Sequence, residues 1–130
     1  MADRLSNSLN DAITNLYETG SWTPTFGRDT AASIYATWTR VGNLLFITAD
    51  WQNTHGSGAS FIGANSLPIP TGYARNYGFH GTWRSYTTDV AGEVGQYAPT
   101  DNMRFSKGGV GVELPNEKMS FSAFCVLRKT

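Results

Sequence analysis

Apolar positions in this chain keep two different periods. Over residues 3–18, Leu5, Leu9, Ala12, Ile13 and Leu16 recur at spacings of three and four, the period that lines one face of an α-helix. Arg4, Asn7, Asn10, Asp11 and Asn15 fall on the other face. Asp3 stands where an N-cap accepts backbone N–H groups. Gly20 stands where a left-handed residue ends a helix. So short a helix is marginal in water on its own, and its stripe needs a cover. Two covers fit: the chain's own sheet, or a bundle of equivalent helices with Leu9, Ile13 and Leu16 at heptad core places.

After Pro24 the period becomes two. Ile34 to Arg40 reads as a strand, rich in β-branched and aromatic residues. Gly42-Asn43 supplies a tight turn with positive φ. Leu44 to Gln52 is the strongest strand signal: Leu45, Ile47, Ala49 and Trp51 share one face; Leu44, Phe46, Thr48 and Asp50 share the other. Apolar residues on both faces at one end suggest a central strand or an intersubunit contact. A short strand is predicted at Ala59–Ile62. Pro68 and Pro70 confine Leu67–Thr71 to an edge or a connection. Tyr77 to Thr88 reads as a long aromatic strand. Glu93–Tyr97, Met103–Phe105, Val110–Leu114 and a closing strand at Met119–Leu127 complete the pattern. About eight strands at these spacings predict an all-β fold, a β-sandwich or jelly roll with a short N-terminal helix. The helix would occupy residues 1–19 and the sandwich 20–130.

Composition narrows the partners. The 130 residues suffice for one domain. Ten basic and ten acidic residues give zero net charge, without the basic excess of a nucleic-acid binder. Cys125 is the lone cysteine, so no internal disulfide forms, and its apolar setting reads as a small buried hydrophobe. No apolar run reaches the roughly 20 residues of a membrane span, and no h-region opens the sequence, so no secretory signal is expected.

Catalytic and metal chemistry find little footing. His55 and His80 are the only histidines; one falls in a Gly/Ser turn, the other on the polar face of a strand. The carboxylates are scattered, with no Asp-x-Asp-x-Asp loop and no Gly-x-Ser-x-Gly elbow. The expectation is no enzyme, no cofactor and no metal. Trp22, Trp38, Trp51 and Trp83 lie in or beside strand patterns, where packing is the default. Tyr73, Tyr77 and Tyr97 flank loops and are the better candidates for stacking on sugar rings.

Three segments come in a telling order: Gly20-Ser21-Trp22-Thr23-Pro24-Thr25-Phe26, then Tyr35 to Ile47 with its Gly42-Asn43 turn, then Ser66-Leu67-Pro68-Ile69-Pro70. Together they resemble the small trimeric β-sandwich domain of tailed-bacteriophage surface proteins, both capsid decoration (cement) proteins and tail-fibre tips. The likeness spans roughly Gly20 to Thr130. It implies a homotrimer on the virion, assembled in the host cytoplasm and bound to the major capsid protein or another virion protein. About nineteen residues before the sandwich suit a foot that grips a shell better than a shaft. The expectation is therefore a decoration protein that braces the capsid, with Leu5, Leu9, Ile13 and Leu16 as the anchoring or oligomerisation stripe. The alternative is a tail-fibre tip that adheres to host glycans.

Overall fold

A computed structural model describes residues 6–9, 16–27, 29–54, 58–76, 78–97 and 100–130. Residues 6–9 and Leu16 are helical; Asp3, Leu5, Ala12, Ile13, His55 and Tyr77 lie outside the described residues. The rest is built almost wholly from antiparallel strands. In chain order these are β1 (Tyr17–Ser21), β2 (Thr30–Val41), β3 (Leu44–Thr54), β4 (Phe61–Ile62), β5 (Tyr73–Arg75), β6 (His80–Ser85), β7 (Ala91–Gln96), β8 (Met103–Lys107), β9 (Val110–Gly111) and β10 (Lys118–Lys129), with one 3-10 turn at Ala64–Ser66. The all-β expectation holds.

All ten strands belong to one sheet, in the order β1-β2-β3-β10-β6-β7-β8-β4, with β5 paired to β10 and β9 to β8. That sheet cannot be flat. Trp51 on β3 and Phe105 on β8 are four strands apart, which at about 4.8 Å per strand would separate them by roughly 19 Å. Their ring centroids lie 5.9 Å apart. Phe26, bridged to Ile62 on β4, comes within 4.9 Å of the same Trp51. The sheet therefore rolls over, and β3–β10 faces β8–β4 across one core. Phe121 on β10 sits at its centre, edge-on to Trp22, Trp51 and Phe105.

The alternation along the strands explains what fills the roll. On β3, Leu45, Ile47, Ala49, Trp51 and Asn53 are buried; on β10, Met119, Phe121, Ala123, Cys125 and Leu127 are. Register sets these residues opposite one another, Trp51 to Met119 and Leu45 to Cys125. Burying each large apolar side chain contributes roughly 1.5–3 kcal/mol. Buried Asn53 is satisfied: its Nδ2 donates to the carbonyls of Leu114 and Pro115, and its Oδ1 accepts from the Trp51 indole. Arg40 is also buried. It donates to Glu18 at 2.6 and 3.0 Å and to the Gly42 carbonyl at 2.8 Å, and it stacks over Tyr73. A buried cation needs all of this to offset its lost hydration.

Four details depart from the sequence reading. Tyr17–Ser21 is strand, not helix, and pairs residue for residue with Val41–Thr37 of β2; the sheet thus begins ahead of residue 20. Gly20 is no left-handed cap. It is a strand residue over which the Trp38 ring lies, and a Cβ there would meet Trp38 Nε1 at 2.7 Å. At the β2–β3 turn only Gly42 has positive φ, +59°, as in a hairpin turn with glycine at its first central position. The long strand expected over Tyr77–Thr88 shortens to β6, because a turn held by Glu117 begins at Tyr86. Glu117 accepts hydrogen bonds from the Ser85 hydroxyl and, at 3.1 Å, from the Thr88 hydroxyl.

Candidate interaction surfaces

The outer face of β1–β2–β3–β10–β6 follows from the same register that fills the core. Tyr17 stands beside Val41, Val41 beside Leu44, and Leu44 beside Val126. One step along, Thr39 meets Phe46, Phe46 meets Phe124, and Phe124 meets His80. Phe46 and Phe124 have ring centroids 6.4 Å apart, and His80 lies 6.3 Å from Phe124. Each phenylalanine keeps 44% of its surface exposed. A further step along, the face turns polar: Thr37 and Thr48 share a 3.0 Å hydrogen bond, beside Ser122 and Thr82. The aromatic and hydroxyl rows together line a shallow groove of about 310 Å³.

Of the anchoring stripe expected from the sequence, Leu16 meets this face at its apolar end. Leu16 directly precedes Tyr17, and its carbonyl accepts a 2.7 Å hydrogen bond from the Gly42 amide in the β2–β3 turn. Leu16 is 61% exposed and Leu9 is 63% exposed. For these two residues the chain's own sheet is not the cover. Leu5 and Ile13 fall outside the described residues.

Tyr73 and Tyr97 line separate hollows. Tyr73 on β5 is half-buried with the Arg40 guanidinium 4.8 Å from its ring centre, and it borders a groove of about 630 Å³ with Arg75, Asn76 and Gln96. Tyr97, just after β7, lines a different cavity of about 420 Å³ with Ala59, Phe61, Thr100, Asn102 and Arg104. Tyr77 lies outside the described residues. Sequence reasoning missed the outer residues Tyr17, Val41 and Phe124. It noted apolar character on both faces of Leu44–Trp51, the signal that marks Leu44 and Phe46. For Arg104 no sequence signal existed, since its contact with Tyr97 spans two strands.

Titratable chemistry is sparse. Among the described residues, no three His, Cys, Asp or Glu side chains gather as they would around a metal ion. Cys125 is buried; burial pushes its thiol up to about 12, against a smaller opposing effect of the Arg75 charge. It is a packing residue rather than a nucleophile. No described helix is long and apolar enough to cross a membrane. No protein-family model matches the chain, and no curated protein or solved structure matches it.

Proposed function

We propose that this chain is a non-catalytic assembly module: a homotrimeric decoration protein that grips and braces a bacteriophage capsid. The observation that carries the assembly half is the row of exposed apolar side chains from Leu16 onto Tyr17, Val41, Leu44, Phe46 and Phe124, with Leu9 exposed as well. A solvated sheet face ordinarily alternates to polar side chains, and contiguous exposed apolar patches mark interaction sites. The order of the Gly-Ser-Trp-Thr-Pro, Gly-Asn and Leu-Pro-Ile-Pro segments supports the virion half. A brace works by mass action: whatever binds the assembled shell stabilises it against disassembly.

Light scattering at micromolar concentration tests the assembly half, with a trimer as the expected result and a monomer as the result that ends it. Leu9→Asp places a carboxylate in an apolar seam, where an unpaired charge is strongly disfavoured. Because Leu9 is exposed in the single chain, that variant should keep its sheet and lose the trimer. The shell half has its own readout. Particles lacking the protein should assemble, adsorb to the host at the normal rate and release their genome at a lower temperature. Loss of adsorption with unchanged shell stability would reverse the assignment in favour of a receptor-binding tip.

A further inference from the structure

The Tyr97 cavity lies away from the assembly surface. Arg104 is on β8 between buried Met103 and Phe105, so its side chain points outward from the far wall of the roll. Its neighbours across the sheet are Gly95 on β7 and Phe61 on β4. The arginine stem passes over Gly111, where a Cβ would come within 3.2 Å of Arg104 Cδ. The guanidinium carbon then rests 4.4 Å from the centre of the Tyr97 ring. Glycine below and an aromatic ring alongside fix the head in place, a planar fork of donors at the cavity wall. Among the described residues no carboxylate pairs with it.

The other lining groups are ordered too. Asn102 Oδ1 accepts the Ala64 amide at 2.9 Å, which leaves its amide N–H groups as donors. The Asn102 carbonyl accepts the Tyr97 amide at 2.8 Å, and the Tyr97 carbonyl accepts the Thr100 and Asp101 amides at 3.1 and 2.8 Å. These bonds tie Tyr97, Thr100, Asp101 and Asn102 to one another beside the strand ends. From its described residues the cavity thus offers aromatic carbon from Tyr97 and Phe61, neutral polar groups from Thr100 and Asn102, and the Arg104 cation. Its size falls within the range of roughly 300–1,000 Å³ common to small-ligand sites.

We infer that this cavity binds an acidic saccharide, a sugar ring that carries a carboxylate. Aromatic rings suit the apolar C–H face of a sugar, the amide and hydroxyl suit ring hydroxyls, and the arginine fork suits a carboxylate bidentately. The geometry asks for both parts: a neutral sugar leaves the guanidinium unused, and a bare inorganic anion leaves the aromatic wall unused. The inference does not depend on the trimer or on the capsid, since the described lining residues all belong to one chain and lie on the wall opposite the apolar surface.

The test is an NMR titration of the full chain that follows the backbone amide resonances of Tyr97, Thr100 and Asn102, with the Arg104 Nε–H as a second reporter in the parent. The probes are tetragalacturonic acid and 3′-sialyllactose, each against its uncharged counterpart, the methyl-esterified tetramer and lactose. At least one acid should bind at millimolar concentration or below, and its counterpart should bind about tenfold or more weakly. Arg104→Gln should weaken the acid by a similar factor. Arg104→Lys, which keeps the charge and loses the fork, should recover only part of it. Preference for the galacturonate or for the sialate tells which class of acidic sugar is meant; either supports the inference. It is overturned if neither acid binds, if acid and uncharged forms bind alike, or if Arg104→Gln binds as the parent does.

Discussion

On β3, Leu45 and Ile47 are fully buried, while Leu44 and Phe46, one position away on the same backbone, keep 40% and 44% of their surface exposed. On β10 the same contrast separates Cys125 from Phe124. At this end of the strands both faces are apolar; what differs is the company. The inner set belongs to the one core cluster that also holds Trp51, Phe105 and Phe121, and that burial explains why it is apolar. Among the described residues the outer set has its cross-strand neighbours for company, and they give no reason for phenylalanine there. The lesson is that the two faces answer to different demands: the inner one to folding, the outer one, on the reading proposed above, to assembly.

The largest effect that would sharpen this contrast comes from the inner face. Trp51→Ala removes the ring that joins the two walls, and should cost about 3–5 kcal/mol, read as a lower urea midpoint. A loss below about 1 kcal/mol would mean that the walls do not meet there. Next is the buried cation on β2. Glu18→Gln leaves Arg40 without its carboxylate; because Glu18 is about one-third exposed, the cost should be nearer 2 kcal/mol than the 3–5 kcal/mol of a fully enclosed pair. Both experiments leave the outer face untouched, so oligomer size should not change in a variant that still folds.

The outer face predicts the reverse. Phe46→Ser together with Phe124→Ser should change the stability of the separated chain by no more than about 1 kcal/mol, yet should dissociate the assembly in sedimentation. A double variant that assembles as before would break the comparison at its root.

The smallest effect concerns Cys125. Its thiol is raised above its value of 9.0 in the absence of the fold. The unfolded chain therefore gives up this proton at a lower pH than the folded one. The stabilisation from burying the neutral thiol is whole below about pH 9 and is lost as pH rises toward 12. Stability plotted between pH 9 and 11 should fall more gently for Cys125→Ala than for the parent. Parallel slopes would show that the thiol ionises freely in the fold.

Strand identity was legible where one side of the strand meets the core. Leu45-Ile47-Ala49-Trp51, Phe79-Gly81-Trp83-Ser85 and the alternation in Met119–Leu127 all point inward as the period-two pattern requires. Order within the sheet was not legible, because pairing depends on contacts distant in sequence: nothing local says that the strand expected to close the fold would lie between β3 and β6. Gly20 misled because glycine serves equally as a helix terminator and as the flat bed for Trp38. Among the candidate site residues, Leu9 and Leu16 were found by helical period, and their exposure required the structure. The pairing of Arg104 with Tyr97 depends on where Gly111 and β7 come to rest, which no spacing encodes.

The central place of β10 has a consequence in time. β3 ends at Thr54 and β10 begins at Lys118, so β3 waits more than sixty residues for its partner. At synthesis rates of about 5–20 residues per second, that is roughly 3–13 s. Until then β3 and β6 each present a bare row of N–H and C=O groups, the kind of row that recruits strands from other chains. A cell making many copies at once keeps a standing population of half-zipped chains. Its yield of usable protein is then set by the race between arrival of the last strand and encounter with a neighbour in the same condition.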